Sequence, residues 1–370
     1  MKFTCPAPAL IEGLQIVVKA LPSHTTNDIL NGILIEAING ELTLTCSDER
    51  ITIITRIEAE ISEDGRGVVP GKLFNEVIRR LSDGDIDITM NDRYLFTVRG
   101  SGSRTNISGK DPDLYPALPI IDEEHEISLP QDMLKDMIEK TEFAIAIEDM
   151  REMLTGAFLE IKNGDVSMVG LDGYRMAVRR ARCADVMESC SAIIPGRAVG
   201  DIGKLLSDDP EAFASLSLGG GKLHIRLEAT EIFVILLSGD YINYRAIVPA
   251  VFSTKVTVDL APFRKAVDRA SLIAREGNNN LLVLKIAAGE MAIESRSEIG
   301  DVFEKLDVQH VGSDMSIAFN VKYLTDVVRS IDAEQVTFSM NSPISPCIIT
   351  PVGDPDYLHL VLPVRTGAAK

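Results

Sequence analysis

The sequence predicts an α+β protein of three tandem domains, each with two helices packed on antiparallel sheets. Two observations predict it. A pattern of 125 residues recurs three times, and strands follow one another in hairpins rather than alternating with helices as a parallel sheet would require. A length of 370 residues allows two or three domains.

The first recurring element is a strand, a proline or polar start, then an amphipathic helix. It reads FTCPAPALIEGLQIVVKA from Phe3, ISLPQDMLKDMIEKTEFAI from Ile127 and VTVDLAPFRKAVDRASLIA from Val256. The second is another helix. Gly71 in VVPGKLFNEVIRRL, Gly196 in AIIPGRAVGDIGKLL and Val321 in AFNVKYLTDVVRSI each stand 125 positions after the last. An alternating strand follows each: DIDITM, FASLSL and QVTFSM. Between the two helices lie hairpins, with Asn39-Gly40 and Asn163-Gly164 as turns. Asp48 and Asp172, 124 apart, hold matching places. Apolar residues at three-and-four spacing (Leu10, Leu14, Val17, Val18; Leu73, Val77, Leu81) give each helix one face for a sheet. The boundaries fall near DLYPALPIIDEEHE and VPAVFSTK, dividing the chain into 1–122, 123–251 and 252–370.

At 45% hydrophobic and 25% charged, the chain is an ordinary globular one. No apolar run approaches a membrane span. Glu12, Gln15 and Lys19 interrupt the apolar start, which argues against an export signal. Five scattered cysteines without a C-x-x-C pair read as reduced thiols, so the expected compartment is the cytoplasm. The net charge of −18 argues against a simple nucleic-acid binder.

Six further segments carry a resemblance: MKFT, DLYPALP, LDGYRMAV, DYINYRAIVP, FNVKYLTDVV and LVLPVR, in that order from Met1 to Arg365. Together they resemble the beta sliding clamps of bacterial DNA polymerase III over the whole chain. The resemblance implies a head-to-tail homodimer whose six domains close a ring around double-stranded DNA, helices inward. It implies a non-catalytic processivity factor without cofactor. Packing geometry agrees: helices sit about 10 Å apart, so six enclose a bore of about 9 Å but twelve one of roughly 28 Å, enough for a duplex of about 20 Å.

The charges must then be placed, not counted. Lys72, Arg79 and Arg80 outweigh Glu76 in the second helix, and Arg264, Lys265, Arg269 and Arg275 exceed the acids of the fifth. The third helix runs the other way, with Asp132, Asp136, Glu139 and Glu142 against Lys135 and Lys140. Most of the negative charge falls in segments such as ISEDG, IDEEHE and LSDDPE. Screening limits exposed charges to about 8 Å, so a local basic lining can act inside an acidic exterior. The expected DNA-facing set is His24, Lys72, Arg79, Arg80, Lys140, Arg197, Lys204, Arg264 and Arg269. His24 stands where the family has an arginine and Glu148 where it has a glutamine. Tryptophan is absent, and no aromatic platform for single strands is visible.

The resemblance also implies an apolar pocket between domains two and three that holds Leu and Phe anchors of linear peptides from the polymerase catalytic subunit, the clamp loader and repair polymerases. The matching positions in domain two are Leu154, Gly173, Tyr174, Arg175 and Met176. Ile242, Arg245 and Ile247 follow in the interdomain stretch. Domain three supplies Asn320, Tyr323, Ile344, Leu360, Leu362, Pro363, Val364 and Arg365. Leu171, Ile242 and Ala246 replace the usual threonine, proline and arginine, and Thr366 to Lys370 run past the usual terminus. Dimerisation is expected at the end of the fifth helix through Leu272 and Ile273, with Phe263 nearby.

Signs of catalysis are few. The five histidines show no metal-ligand spacing, there is no G-x-S-x-G, and Lys204 and Lys222 are each followed by leucine, which spoils a phosphate-binding loop. Gly219 to Lys222 reads as a hairpin turn. Two alternatives stay open: a metal-dependent nuclease using Asp48 and Glu49, and a diverged paralogue that forms rings without binding replication peptides.

Overall fold

The computed structural model describes residues 1–81, 83–119, 125–184, 186–277 and 280–365. The expected boundary at 122/123, much of the acidic stretch IDEEHE and the extension Thr366–Lys370 lie outside the described residues. Six α-helices occur among those described: α1 Ala7–Val17, α2 Gly71–Arg79, α3 Gln131–Glu139, α4 Gly196–Gly203, α5 Leu260–Arg275 and α6 Val321–Ser330. The 125-residue step places the starts of α2, α4 and α6 at the residues named from the sequence. Each helix follows directly on a strand. In the first two repeats that strand ends in proline (Pro6, Pro70, Pro130, Pro195), which lacks an N–H for the ladder. In the third repeat Asn320 ends the strand before α6, its side chain accepting the Lys322 N–H at 2.9 Å.

Helix α1 buries Leu10, Leu14 and Val17 as the spacing predicts. Helix α2 follows its prediction only in part. Leu81 is buried as expected, but Leu73 is 54% exposed and Val77 half-buried, and Phe74 and Ile78 are buried instead. Both sets satisfy helical spacing, and the larger aromatic surface of Phe74 decides which face turns inward.

The described residues cluster into two compact units, Met1–Asp132 with Lys204–Leu236, and Met133–Gly203 with Leu237–Lys370. The reason is that sheets cross the repeat junctions. Each repeat contributes two antiparallel layers. The layer that starts at the first strand of its repeat is Lys2–Pro6, Asp85–Met90, Leu95–Gly100, Ser103–Ser108 in repeat one. In repeat two it is His125–Pro130, Phe213–Gly219, Lys222–Arg226, Thr230–Ile235, and in repeat three Thr254–Asp259, Gln335–Met340, Cys347–Pro351, Tyr357–Val361. The other layer is the hairpin set between the two helices.

In the first unit, the last strand of repeat two's first layer, Thr230–Ile235, pairs with Ile51–Ile57 of repeat one's hairpin layer and completes an eight-stranded sheet. In the second unit, Tyr357–Val361 of repeat three pairs in the same way with Arg175–Arg182 of repeat two, in a nine-stranded sheet. Two edges remain. Ser103–Ser108 ends the five-stranded sheet of the first unit, and Gly300–Asp307 ends the four-stranded sheet of the second.

The repeat extends to turn chemistry. Asn39-Gly40 and Asn163-Gly164 take positive φ (53° and 82°, 51° and 84°), as two-residue hairpin turns require, and Ala288-Gly289 does the same in repeat three (51° and 83°). The Asp48 carboxylate accepts the N–H groups of Arg50 and Ile51, and Asp172 those of Tyr174 and Arg175. Ser297, 125 positions further, caps the third such turn through Ile299.

His359 is fully buried on Tyr357–Val361, its ring edge-on to Tyr357 at 4.2 Å, and neither ring nitrogen has a hydrogen-bond partner among the described residues. Burial, helped by the nearby Lys140 charge, pulls its pKa down to about 3. The folded chain therefore keeps this ring neutral where the unfolded chain protonates it. Between pH 6.5 and 5 stability should fall with pH by up to about 1.4 kcal/mol per unit from this residue. His359→Leu should flatten that slope in urea titrations at several pH values. An unchanged slope would remove His359 from the account.

Candidate functional site

The turn between Asp165–Leu171 and Arg175–Arg182 builds the centre of the site. Gly173 has φ 88°, which a side chain would disfavour. The two N–H bonds to Asp172 fix the turn and leave the Tyr174 ring 61% exposed. Arg175 points the other way and is only 7% exposed. Its Nε donates to Asp172 at 2.9 Å, and its Nη1 donates to Asp326 on α6. The guanidinium also lies over the rings of Tyr323 (4.8 Å) and Phe143 (5.5 Å). Tyr323 in turn stacks on Tyr174, centroids 6.0 Å apart. One buried cation thus orders two tyrosines.

The last strand leads into this place. The Leu362 N–H donates to the Tyr174 carbonyl at 2.8 Å, and the Val364 N–H to the Ala318 carbonyl at 2.7 Å. Leu154, Met176 and Leu360 form a buried apolar cluster with Leu171, Val178, Tyr244 and Ile348, and Ile242 and Leu362 pack against it half-buried. Leu154, Met176 and Leu360 are therefore buried beneath the groove. Met176 and Leu360 are cross-strand partners that sheet alternation turns into the layer packed beneath, and Leu154 joins them from the short 3-10 turn Glu152–Thr155.

Ile344 and Ile247 are exposed apolar side chains, Pro363 and Val364 are half-buried, and Arg365 is exposed. Two expected residues have other engagements. Asn320 caps α6, and Arg245 pairs with Glu160 while lying over the Tyr244 ring at 4.7 Å. Phe143 and Asp326 were not expected. Only Asp326 left a signal, one helical turn beyond Tyr323.

Of the expected DNA-facing set, His24, Lys72, Arg79, Arg80, Arg197 and Lys204 are exposed. Arg79 and Arg80 lie 3.9 and 3.3 Å from Glu76 in exposed pairs that leave them free to turn. Three further members have closer partners. Arg264 donates to the Val328 and Ile331 carbonyls at the end of α6. Arg269 forms a two-pronged pair with Glu304 at 2.6 and 2.7 Å. Lys140 lies between Asp136 and Asp332, over the Tyr357 ring.

At the end of α5, Leu272 is 66% exposed and Ile273 half-buried. Phe263 is fully buried against Phe338, so it belongs to the core and not to a contact surface. Among the described residues no group of three or more His, Cys, Asp or Glu side chains could hold a metal. Asp48 is occupied by its turn. No helix is long and apolar enough to cross a membrane.

Three repeats of paired helices on two antiparallel layers, with sheets shared across the junctions, define a three-domain clamp fold. Models of the DNA polymerase III beta subunit match its N-terminal domain at residues 1–119, its central domain at 128–243 and its C-terminal domain at 245–365. The beta sliding clamp of Staphylococcus aureus is 34% identical, covering 99% of this chain and all of that one. The sliding clamp structure from Bacillus subtilis superposes with a TM-score of 0.94 at 32% identity, covering 99% of each chain. The polymerase beta subunit of Streptococcus pyogenes gives 0.93 at 27%, covering 99% of this chain and all of that one. The chain belongs to the DNA polymerase III beta subunit family, the beta sliding clamps, and is a DNA polymerase processivity factor.

Proposed function

We propose that two copies join head to tail into a closed ring that encircles duplex DNA without reading sequence, does no chemistry itself, and holds replication and repair proteins by short peptides in the groove around Tyr174, Tyr323 and Leu362. One observation carries the closure. At both junctions inside the chain, the last strand of a repeat's first layer pairs with the hairpin layer of the repeat before it. Among the described residues, Ser103–Ser108 of repeat one and Gly300–Asp307 of repeat three lack the partner that this rule gives their counterparts. A second copy satisfies both by the same rule, and unlike edges meeting unlike edges make a heterologous join that closes when the rotation allows. Leu272 and Phe303 are exposed apolar side chains on α5 and on that edge strand, and suit such a join.

His24, Lys72, Arg79, Arg80, Arg197 and Lys204 would meet the phosphates, contacts that position a duplex without recognising bases. Lys140, Arg264 and Arg269 hold the fold instead. The same reading keeps the domain limits 1–122, 123–251 and 252–370. It places the chain in the cytoplasm, where its five free thiols stay reduced.

The test is topological. After loading onto nicked circular DNA, the protein should survive gel filtration at high salt and be lost once the circle is cut. Equal retention on cut and uncut DNA would rule out encirclement. For the groove, Leu362→Ala with Val364→Ala should weaken an anchor peptide by about 2–4 kcal/mol in fluorescence anisotropy. Sedimentation should show the dimer unchanged. Unfolding of that double variant would make both side chains core and not a docking surface.

A further inference from the structure

We propose that the sheet face running on from the groove binds the carboxylates of an acidic segment flanking the docked peptide, a reading that rests on the groove proposed above. Strand alternation puts every second side chain of Asp165–Leu171 and Arg175–Arg182 on one face. Leu171 lies opposite Met176 and Val169 opposite Val178, both rows within the apolar cluster beneath the groove. Further along the same face, Ser167 lies opposite Arg180 and Asp165 opposite Arg182. On the neighbouring strand, Glu160 and Lys162 extend these two rows. The apolar rows are buried beneath Tyr244 and its neighbours, and the charged rows follow them on the same face.

The charged rows line a cleft of about 440 Å³. Glu160 is neutralised by Arg245, which stands at the boundary over the Tyr244 ring. No ion pair engages Arg180 or Arg182 among the described residues, and Arg182 is exposed. Arg180, Arg182 and Lys162 share the cleft with Asp165 and Asp356, which leaves a local excess of one positive charge in a chain of net charge −18. The planar forks of the two arginines suit carboxylates in pairs, as in other arginine clusters that read acidic motifs. From the Met176 row to the Arg180 and Arg182 rows is about 13 to 20 Å along a strand, the reach of about four to six extended residues. Carboxylates that far from an apolar anchor would arrive over the arginines.

Fluorescence anisotropy with three labelled peptides tests this. All share one Leu-Phe anchor; one carries four glutamates before it, one carries four after it, and one carries serines in both places. One of the glutamate peptides should bind about fivefold to tenfold more tightly than the serine peptide at low salt, and the gain should shrink as salt rises. In Arg180→Ser with Arg182→Ser the gain should vanish while the serine peptide keeps its affinity. Equal affinities for all three peptides on the native protein, or a gain that survives the double variant, overturns the proposal. Should no peptide bind the native protein, the groove reading fails and takes this one with it. Should the double variant lose affinity for a short single-stranded oligonucleotide while keeping the glutamate gain, the face serves phosphates and the proposal is likewise overturned.

Discussion

Arg175→Ala is expected to cost about 3–5 kcal/mol of stability and to abolish anchor-peptide binding. The guanidinium is almost wholly out of water, and it links carboxylates on two elements, Asp172 in the turn and Asp326 on α6. Removing it leaves Asp326 facing a vacated site and strips Tyr323 and Phe143 of the cation between them. Breaking a buried pair from one side costs far more than the pair itself contributes, because the remaining charge stays desolvated. Arg175→Lys should recover only part of the loss, since one ammonium cannot serve both carboxylates in a fork. Urea denaturation and peptide anisotropy on the three proteins would settle it. A loss below about 1 kcal/mol for the alanine variant would mean that Arg175 contributes little beyond a surface pair.

Leu272→Glu with Phe303→Glu is expected to yield monomers, raising the dimer dissociation constant about a thousandfold or more. Exposed apolar anchors of this kind are worth about 2 kcal/mol each when they sit at the centre of a contact. Both are largely exposed within one copy, at 66% and 56%, so the substitutions should leave its fold intact. Sedimentation velocity reads the mass directly, and circular dichroism checks the fold. A dimer that persists in the double variant would move the contact elsewhere.

Much of the architecture was legible because the chain repeats itself. Gly71, Gly196 and Val321 each open a helix, and Asn39 and Asn163 each sit in the turn that their chemistry demands. The third turn escaped notice because Ala288 holds it, a residue with no turn preference; backbone conformation persisted there where side-chain identity did not. The face of α2 was misjudged because Leu73/Val77 and Phe74/Ile78 are equally helical in spacing, and only packing chooses between them. The sharing of sheets across junctions was invisible. Thr55 meets Thr230 and Arg175 meets Val361, pairings fixed by tertiary assembly and not by local pattern.

The site shows the same division. Leu362 and Val364 stood out by resemblance, and their backbone N–H groups are indeed tied down. The inward role of Arg175 depends on Asp326, 151 positions away, which no spacing argument reaches. The basic residues divided for a similar reason. Arg264 and Arg269 carry the charge expected of a lining, but nearby carbonyls and Glu304 claim it first.

The two leftover strands, Ser103–Ser108 and Gly300–Asp307, carry a hazard as well as an opportunity. A join between unlike edges has no natural stopping point: each copy added to an open chain offers a fresh edge to the next, as in a growing filament. In the ring proposed above, circularisation at two copies would end that growth. Any change that alters the angle of the join, rather than its strength, should therefore turn closed rings into fibres.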